Sequence, residues 1–80
     1  MTLQEIDTLR KEVKHRMIDL GLDREGSYDL IAPHLSRRMN RPVSKPQICT
    51  ALTGYRNGRA QAQMLESLKT LLQAWPPGTA

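Results

Sequence analysis

Residues Val43 to Gly54 read VSKPQICTALTG, and the order of residue types in this stretch decides the fold. Ser44 with Gln47 three positions on is a capping box: the serine side chain takes a free backbone N–H at a helix start while the glutamine reaches back. Pro46 falls in the first turn, where its missing N–H costs little. Ile48 and Leu52 repeat at i and i+4, and Gly54 supplies the stop, so the stretch is predicted to be a helix of about ten residues. Just upstream, Asn40-Arg41-Pro42 ends whatever precedes it, because a residue before proline is pushed out of the α region.

Outward from this short helix the same reasoning places three more. Thr2 and Glu5 form a second capping box, after which Ile6, Leu9, Val13, Met17 and Leu20 make one apolar stripe that stops at Gly21. Leu22 to Ser27 is predicted to be a turn. A second helix is expected from about Asp29 to Asn40, with Leu30, Ile31, Leu35 and Met39 inward. Pro33 fits that helix only in or near its first turn, which allows a later start. After a loop over Tyr55 to Gly58, a last helix is expected from about Arg59 to Ala74, its apolar face made of Met64, Leu65, Leu68, Leu71, Leu72 and Trp75. Pro76, Pro77 and Gly78 end it. No segment alternates with the period of a strand. The expectation is an all-α domain of four to five helices over residues 1–75, with a short frayed tail over 76–80.

Composition narrows the function classes. Eighty residues allow one small core, and with 39% hydrophobic residues, 4% aromatics and no Phe that core is built of Leu, Ile, Val and Met. So few rings argue against RNA binding on an aromatic platform. The single cysteine, Cys49, excludes an internal disulfide and a Cys-pair zinc site, and is read as a small packed residue. His15 and His34 stand alone, so no metal is expected. The N-terminal residues carry charges every few positions in place of an apolar leader, and no apolar run approaches the ~20 residues of a membrane span. A soluble, cytoplasmic protein without a membrane partner is the expectation.

The net charge of +4 matters less than its distribution. Seven of the eight acids, Glu5, Asp7, Glu12, Asp19, Asp23, Glu25 and Asp29, lie in the first 29 residues, and none lies between residues 30 and 65. That interval instead holds Arg37, Arg38, Arg41, Lys45, Arg56 and Arg59. Ordinary soluble surfaces intersperse both signs, so an acid-free cationic segment points to a polyanion. In the first helix, by contrast, Arg10-Lys11-Glu12 looks like surface pairing of alternating charges.

Leu35-Ser36-Arg37-Arg38-Met39-Asn40 resembles the Leu-Ala-x-x-Leu-Gly segment that ends the first helix of the helix-turn-helix in the Cro/cI-type (XRE-like) family. Val43-Ser44-x-x-x-Ile48-Cys49-x-x-Leu52-x-Gly54 resembles that family's Val-Ser-x-x-x-Val-Ser-x-x-Leu-x-Gly in register. Together they cover about a quarter of the chain and are similar to the repressor and Ner-like proteins of prophages and mobile elements. Three departures stand out: Arg41 and Pro42 are extra residues in the turn, Asn40 stands where the family commonly has Gly, and Ser36 replaces Ala. Asn can adopt the left-handed conformation such a turn needs.

The resemblance implies a lambda-repressor-like fold and sequence-specific binding of double-stranded DNA for transcriptional control, expected to be repression, with residues 44–54 in the major groove. Residues at the start of the recognition helix and one turn later face base edges in that family, and the matching positions are Lys45, Pro46, Gln47 and Thr50. Lys45 can donate to guanine O6 or N7, and Pro46 can touch a thymine methyl. Gln47 has two readings, a capping role or a bidentate pair with adenine. Ser44 is first a cap and then a phosphate contact. Arg37, Arg38, Arg41, Tyr55, Arg56, Asn57 and Arg59 flank the groove-bound helix and are assigned to phosphates; for Tyr55 a ring covering the core edge is the other reading.

Nothing in the chain suggests catalysis, a cofactor or a small-molecule substrate: there is no Gly-rich phosphate loop, no His-Glu-x-x-His and no nucleophile with an evident base. The dense apolar face of the last helix has two readings. It covers the core, or Leu68, Leu71, Leu72 and Trp75 join a second subunit in a homodimer with recognition helices ~34 Å apart. Two alternatives to the regulator are an interaction module of anti-repressor or antitoxin-like type, gripping a partner with the last helix, and a DNA-binding accessory factor for recombination or packaging.

Overall fold

A computed structural model of the chain describes residues 2–24, 26–54 and 58–75, and among them it contains four helices and no strand. These are α1 (Leu3–Asp19), α2 (Ser27–Met39), α3 (Lys45–Thr53) and α4 (Arg59–Gln73). The protein is therefore all-α. Every helix contributes to one core, in which Val13 of α1, Ile31 and Leu35 of α2, Ile48 of α3 and Leu65, Leu68 and Leu72 of α4 are fully buried. The last helix is the hub, packed against each of the other three.

The ends of α1 follow local chemistry. Thr2 Oγ1 accepts from the Glu5 N–H and Glu5 Oε1 accepts from the Thr2 N–H, both at 3.2 Å, which closes the capping box. At the other end Gly21 adopts φ +72°, the Gly21 N–H donates to Ile18 C=O at 3.0 Å, and the Leu22 N–H donates to Met17 C=O at 2.7 Å. This paired closure satisfies carbonyls that a helix end otherwise leaves open, and it turns Leu22 into the core. The sequence reading placed Leu22 in a turn without burying it.

Helix α2 departs from expectation at its start. It begins at Ser27, two residues ahead of the expected Asp29, so Pro33 lies well inside it and not in its first turn. A proline there removes one hydrogen bond and costs ~3 kcal/mol. Ser27, Ile31 and Leu35 recur every four residues as the buried line of the helix, and full burial of a large aliphatic side chain is worth about 1.5–3 kcal/mol. Ile31 and Leu35, on either side of the proline, together offset its cost. With that line inward, Leu30 points away from the core and is 61% exposed, against the expectation that it would be buried.

The connection from α2 to α3 is held by two polar side chains. Asn40 adopts φ +55°, and the Arg41 N–H closes back on Ser36 C=O at 3.2 Å, so asparagine fills the left-handed position that glycine favours. Ser36 Oγ donates to Ala32 C=O and accepts from the Val43 N–H, each at 2.8 Å. One hydroxyl thus pins the end of the turn to the preceding helix, and Val43 is buried there.

Candidate nucleic-acid interface

Helix α3 stands between two well-defined ends. At its start Gln47 Oε1 accepts from the Ser44 N–H at 2.9 Å; at its finish Gly54 takes φ +77°. Ile48, Ala51 and Leu52 face the core. At about 3.6 residues per turn the opposite line runs through Pro46, Thr50 and Thr53; Pro46 and Thr53 are exposed and Thr50 is half-buried. Thr53 was not singled out from the sequence. The burial of Ile48, Ala51 and Leu52 puts it on one face with Pro46 and Thr50.

The candidate base-contacting side chains do not share one role. Pro46 is on the outward line. Lys45, at the first helical position, is half-buried on the flank. Thr50 Oγ1 donates back to Pro46 C=O at 2.9 Å, which leaves its methyl and a lone pair to the surface. Gln47 commits its oxygen to the Ser44 N–H. A bidentate pair with adenine needs both ends of the amide; in this conformation Gln47 serves as a cap, with one lone pair of its oxygen taken and its nitrogen free to donate.

The candidate phosphate contacts come from the segments that flank α3 in the chain. Arg37 and Arg38 end α2, Arg41 lies in the connection, Ser44 caps α3 and Arg59 opens α4, and all five are exposed. None of the four arginines, nor Lys45, enters an ion pair among the described residues, where the pairs are Arg10 with Asp7 and Lys69 with Glu12. Arg38 and Arg41 line a surface trough that also carries Glu66, the only acid beyond residue 29. On its other side Arg41 lines a cleft of about 410 Å³ with Gln47 and Thr50 of α3 and Ala60, Gln61 and Met64 of α4. Tyr55, Arg56 and Asn57, also expected at phosphates, lie outside the described residues.

Of the two readings of the last helix, burial gives Leu68 and Leu72, fully buried, and Leu71, 4% exposed, to the core. Because α4 is packed on by α1, α2 and α3, it needs an apolar face on several sides, and the six large apolar residues are not in excess. Trp75 is half-buried, its ring at right angles to His34 with centroids 5.6 Å apart. One expectation is corrected: Arg10 does pair with an acid of its own helix, but it is not on the surface, being 6% exposed. Its Nε donates to Ala51 C=O in the last turn of α3 at 2.9 Å, and its guanidinium also meets Asp7 Oδ1 at 2.7 Å. A buried cation at the C-terminal end of a helix complements the partial negative charge there, so α1 anchors α3 from behind. Arg10 falls between the buried Leu9 and Val13 in sequence, and a tertiary carbonyl partner leaves no sequence signal.

Hydrogen bonds from Thr2, first its backbone N–H and then its side chain, hold the Glu5 carboxyl below its ordinary value of 4.5. Burial, and secondarily the nearby Cys49 thiol, push the Tyr28 hydroxyl up. Among the described residues no cluster of His, Cys, Asp or Glu has the grouping to hold a metal ion, and no helix is long and apolar enough to cross a membrane. No protein-family model, curated protein or solved structure matches the chain.

Proposed function

We propose that the protein is a double-stranded-DNA-binding regulator of lambda-repressor-like helix-turn-helix type, a repressor of the kind found in phages and mobile elements. In this reading α2 crosses the backbone, α3 enters the major groove with Pro46, Thr50 and Thr53 toward base edges, and Lys45 reaches a base from the flank. Arg37, Arg38, Arg41 and Arg59 position the domain on phosphates. The observation that carries it is that Arg37, Arg38, Arg41 and Arg59, in the segments before and after a short helix whose two ends are fixed, are exposed and enter no ion pair among the described residues. A cationic surface without internal neutralisation attracts a polyanion at long range.

The interaction-module alternative relied on the apolar face of α4, and that face is spent on the core. A recombination or packaging accessory would use the same DNA surface and differ only in the assembly it serves. No catalytic role is proposed.

Fluorescence anisotropy of a labelled duplex over a salt series tests the proposal. Log affinity should fall linearly with log salt, with a slope of about −0.9 per phosphate neutralised. A slope near zero would remove the phosphate contacts and the proposal with them. Arg38→Ala should weaken all duplexes alike, whereas Lys45→Ala should erode the preference among sequences.

A further inference from the structure

The cleft between α3 and α4 has a chemistry that neither helix has alone. Gln47 and Gln61 occupy matching places, each three residues beyond the first residue of its helix cap. Gln47 Oε1 accepts from the Ser44 N–H at 2.9 Å and Gln61 Oε1 accepts from the Gly58 N–H at 3.1 Å. A backbone N–H can be met only by the oxygen of an amide, so these bonds fix which way round each side chain sits. In both glutamines the NH2 is the end left over. Both side chains line the cleft of about 410 Å³ together with Arg41, whose guanidinium carries donors only. Thr50 adds no donor, since its hydroxyl proton goes to Pro46 C=O. Ala60 and Met64 contribute no polar side-chain atom.

We infer that this cleft is an oxyanion site: Arg41, Gln47 and Gln61, from three different parts of the chain, converge donors on one phosphate group. No acidic side chain lines it among the described residues. Gln61 thereby gains a role that the sequence did not suggest. The inference rests on the proposed DNA reading only for the origin of that phosphate, which in a duplex is a backbone phosphodiester beside the groove-bound helix. Gripped from the turn, from α3 and from α4 at once, a single phosphate fixes the register of α3 along the groove. This grip adds to the positioning that the exposed arginines supply on neighbouring phosphates.

The test uses the full chain and two probes, inorganic phosphate and a duplex of mixed sequence. In nuclear magnetic resonance titrations of 15N-labelled protein, the side-chain NH2 signals of Gln47 and Gln61 are expected to shift together with either probe. The Gln73 signal, at the far end of α4 and about 18 Å along its axis, stays in place. Gln61→Glu is the informative variant: its carboxylate still accepts from the Gly58 N–H, so the helix start survives, but the donor is replaced by a negative charge. It should weaken duplex binding at least about tenfold, since a charge of the wrong sign then faces the phosphate. Gln73→Glu, with the same change of charge, should stay within about twofold because a solvent-exposed charge at that distance is screened. Equal losses in the two variants, or Gln47 and Gln61 signals that move no more than Gln73 with both probes, would overturn the inference. If the duplex binds with a steep salt dependence while the cleft signals stay still, the site falls and the DNA reading stands. If the duplex does not bind but inorganic phosphate moves both amides, the DNA reading falls and the oxyanion site stands.

Discussion

Replacing Arg10 by methionine tests whether α1 holds the recognition helix from behind. The two hydrogen bonds of Arg10 to described residues differ in what their loss costs. Asp7 has a side chain 53% exposed, so water replaces the guanidinium there and the ion pair contributes under about 1 kcal/mol. The bond to Ala51 C=O is buried, and a hydrogen bond to a charged donor in such a place is worth about 1.5–3 kcal/mol. Methionine restores part of the aliphatic stem and no donor, so Arg10→Met should cost at least about 2 kcal/mol, and of the two bonds to described residues the one to the Ala51 carbonyl carries the larger share. For a chain of this size that lowers Tm by about 8–16 °C. Urea and thermal unfolding followed by circular dichroism measure the loss, and Asp7→Asn is the companion variant, expected within about 1 kcal/mol of wild type. Hydrogen exchange adds a local readout, since amides in the last turn of α3 should lose protection before those in the middle of α4. If Arg10→Met were as stable as wild type, or Asp7→Asn as costly as Arg10→Met, the assignment of the stabilisation to the α3 carbonyl would be refuted.

Gly54→Ala should destabilise by about 1–2 kcal/mol, because a side chain at φ +77° is strained and its Cβ would come within 3.2 Å of the Arg10 guanidinium; equilibrium unfolding measures it, and paired with Arg10→Met the losses should not add. Ser36→Ala removes the hydroxyl that joins Ala32 C=O to the Val43 N–H and should cost about 1–2 kcal/mol in the same measurement, although alanine matches the family pattern that the sequence resembles. The Glu5 carboxyl is held below its ordinary value, so its capping contribution is full above the unfolded value of 4.5 and is lost as pH falls through the lower folded value. Protection of the first-turn amides of α1 should follow that acid-side loss in wild type and be insensitive to pH in Glu5→Gln.

Legibility in the sequence followed the range of the interactions. Helices α1 and α3 were readable because their ends are set by neighbours within four residues: Thr2 with Glu5, Ser44 with Gln47, and the left-handed glycines at positions 21 and 54; α4 was readable from the spacing of its apolar residues. The start of α2 was less legible because Pro33 argued for a start at Asp29 or later, whereas Ile31 and Leu35 on either side of it are buried by contacts with α3 and α4 that the sequence does not display. The same asymmetry explains Leu68, Leu71 and Leu72: their number was visible, but not that three helices pack around them. In the candidate interface, charge was legible because it needs no partner, and the exposed arginines are where the acid-free segment put them. Arg10 and Gln61 were hidden because their placement is tertiary, one crossing from α1 to α3 and the other meeting Gln47 across a cleft between helices distant in the chain.

These placements separate two quantities that are often coupled in a DNA-binding domain. The outward line of α3, Pro46, Thr50 and Thr53, carries no charge, and the cations stand beside it on α2, on the connection, at the first position of α3 and at the start of α4. On the proposed reading, affinity then comes from phosphates and is strongly salt-dependent, while discrimination along α3 comes from methyl and ring contacts that salt barely touches. Thr53→Ala should therefore leave the salt slope of duplex binding unchanged and lower the preference among sequences, with each such contact worth no more than about 1–3 kcal/mol. Arg37→Ala should do the reverse, flattening the slope by about one phosphate and leaving the ranking of sequences intact. Anisotropy titrations of a panel of duplexes at several salt concentrations give both quantities for each variant. If Thr53→Ala flattened the slope, or Arg37→Ala reordered the sequences, then charge and readout would not be divided between the flanks and the outer face of α3.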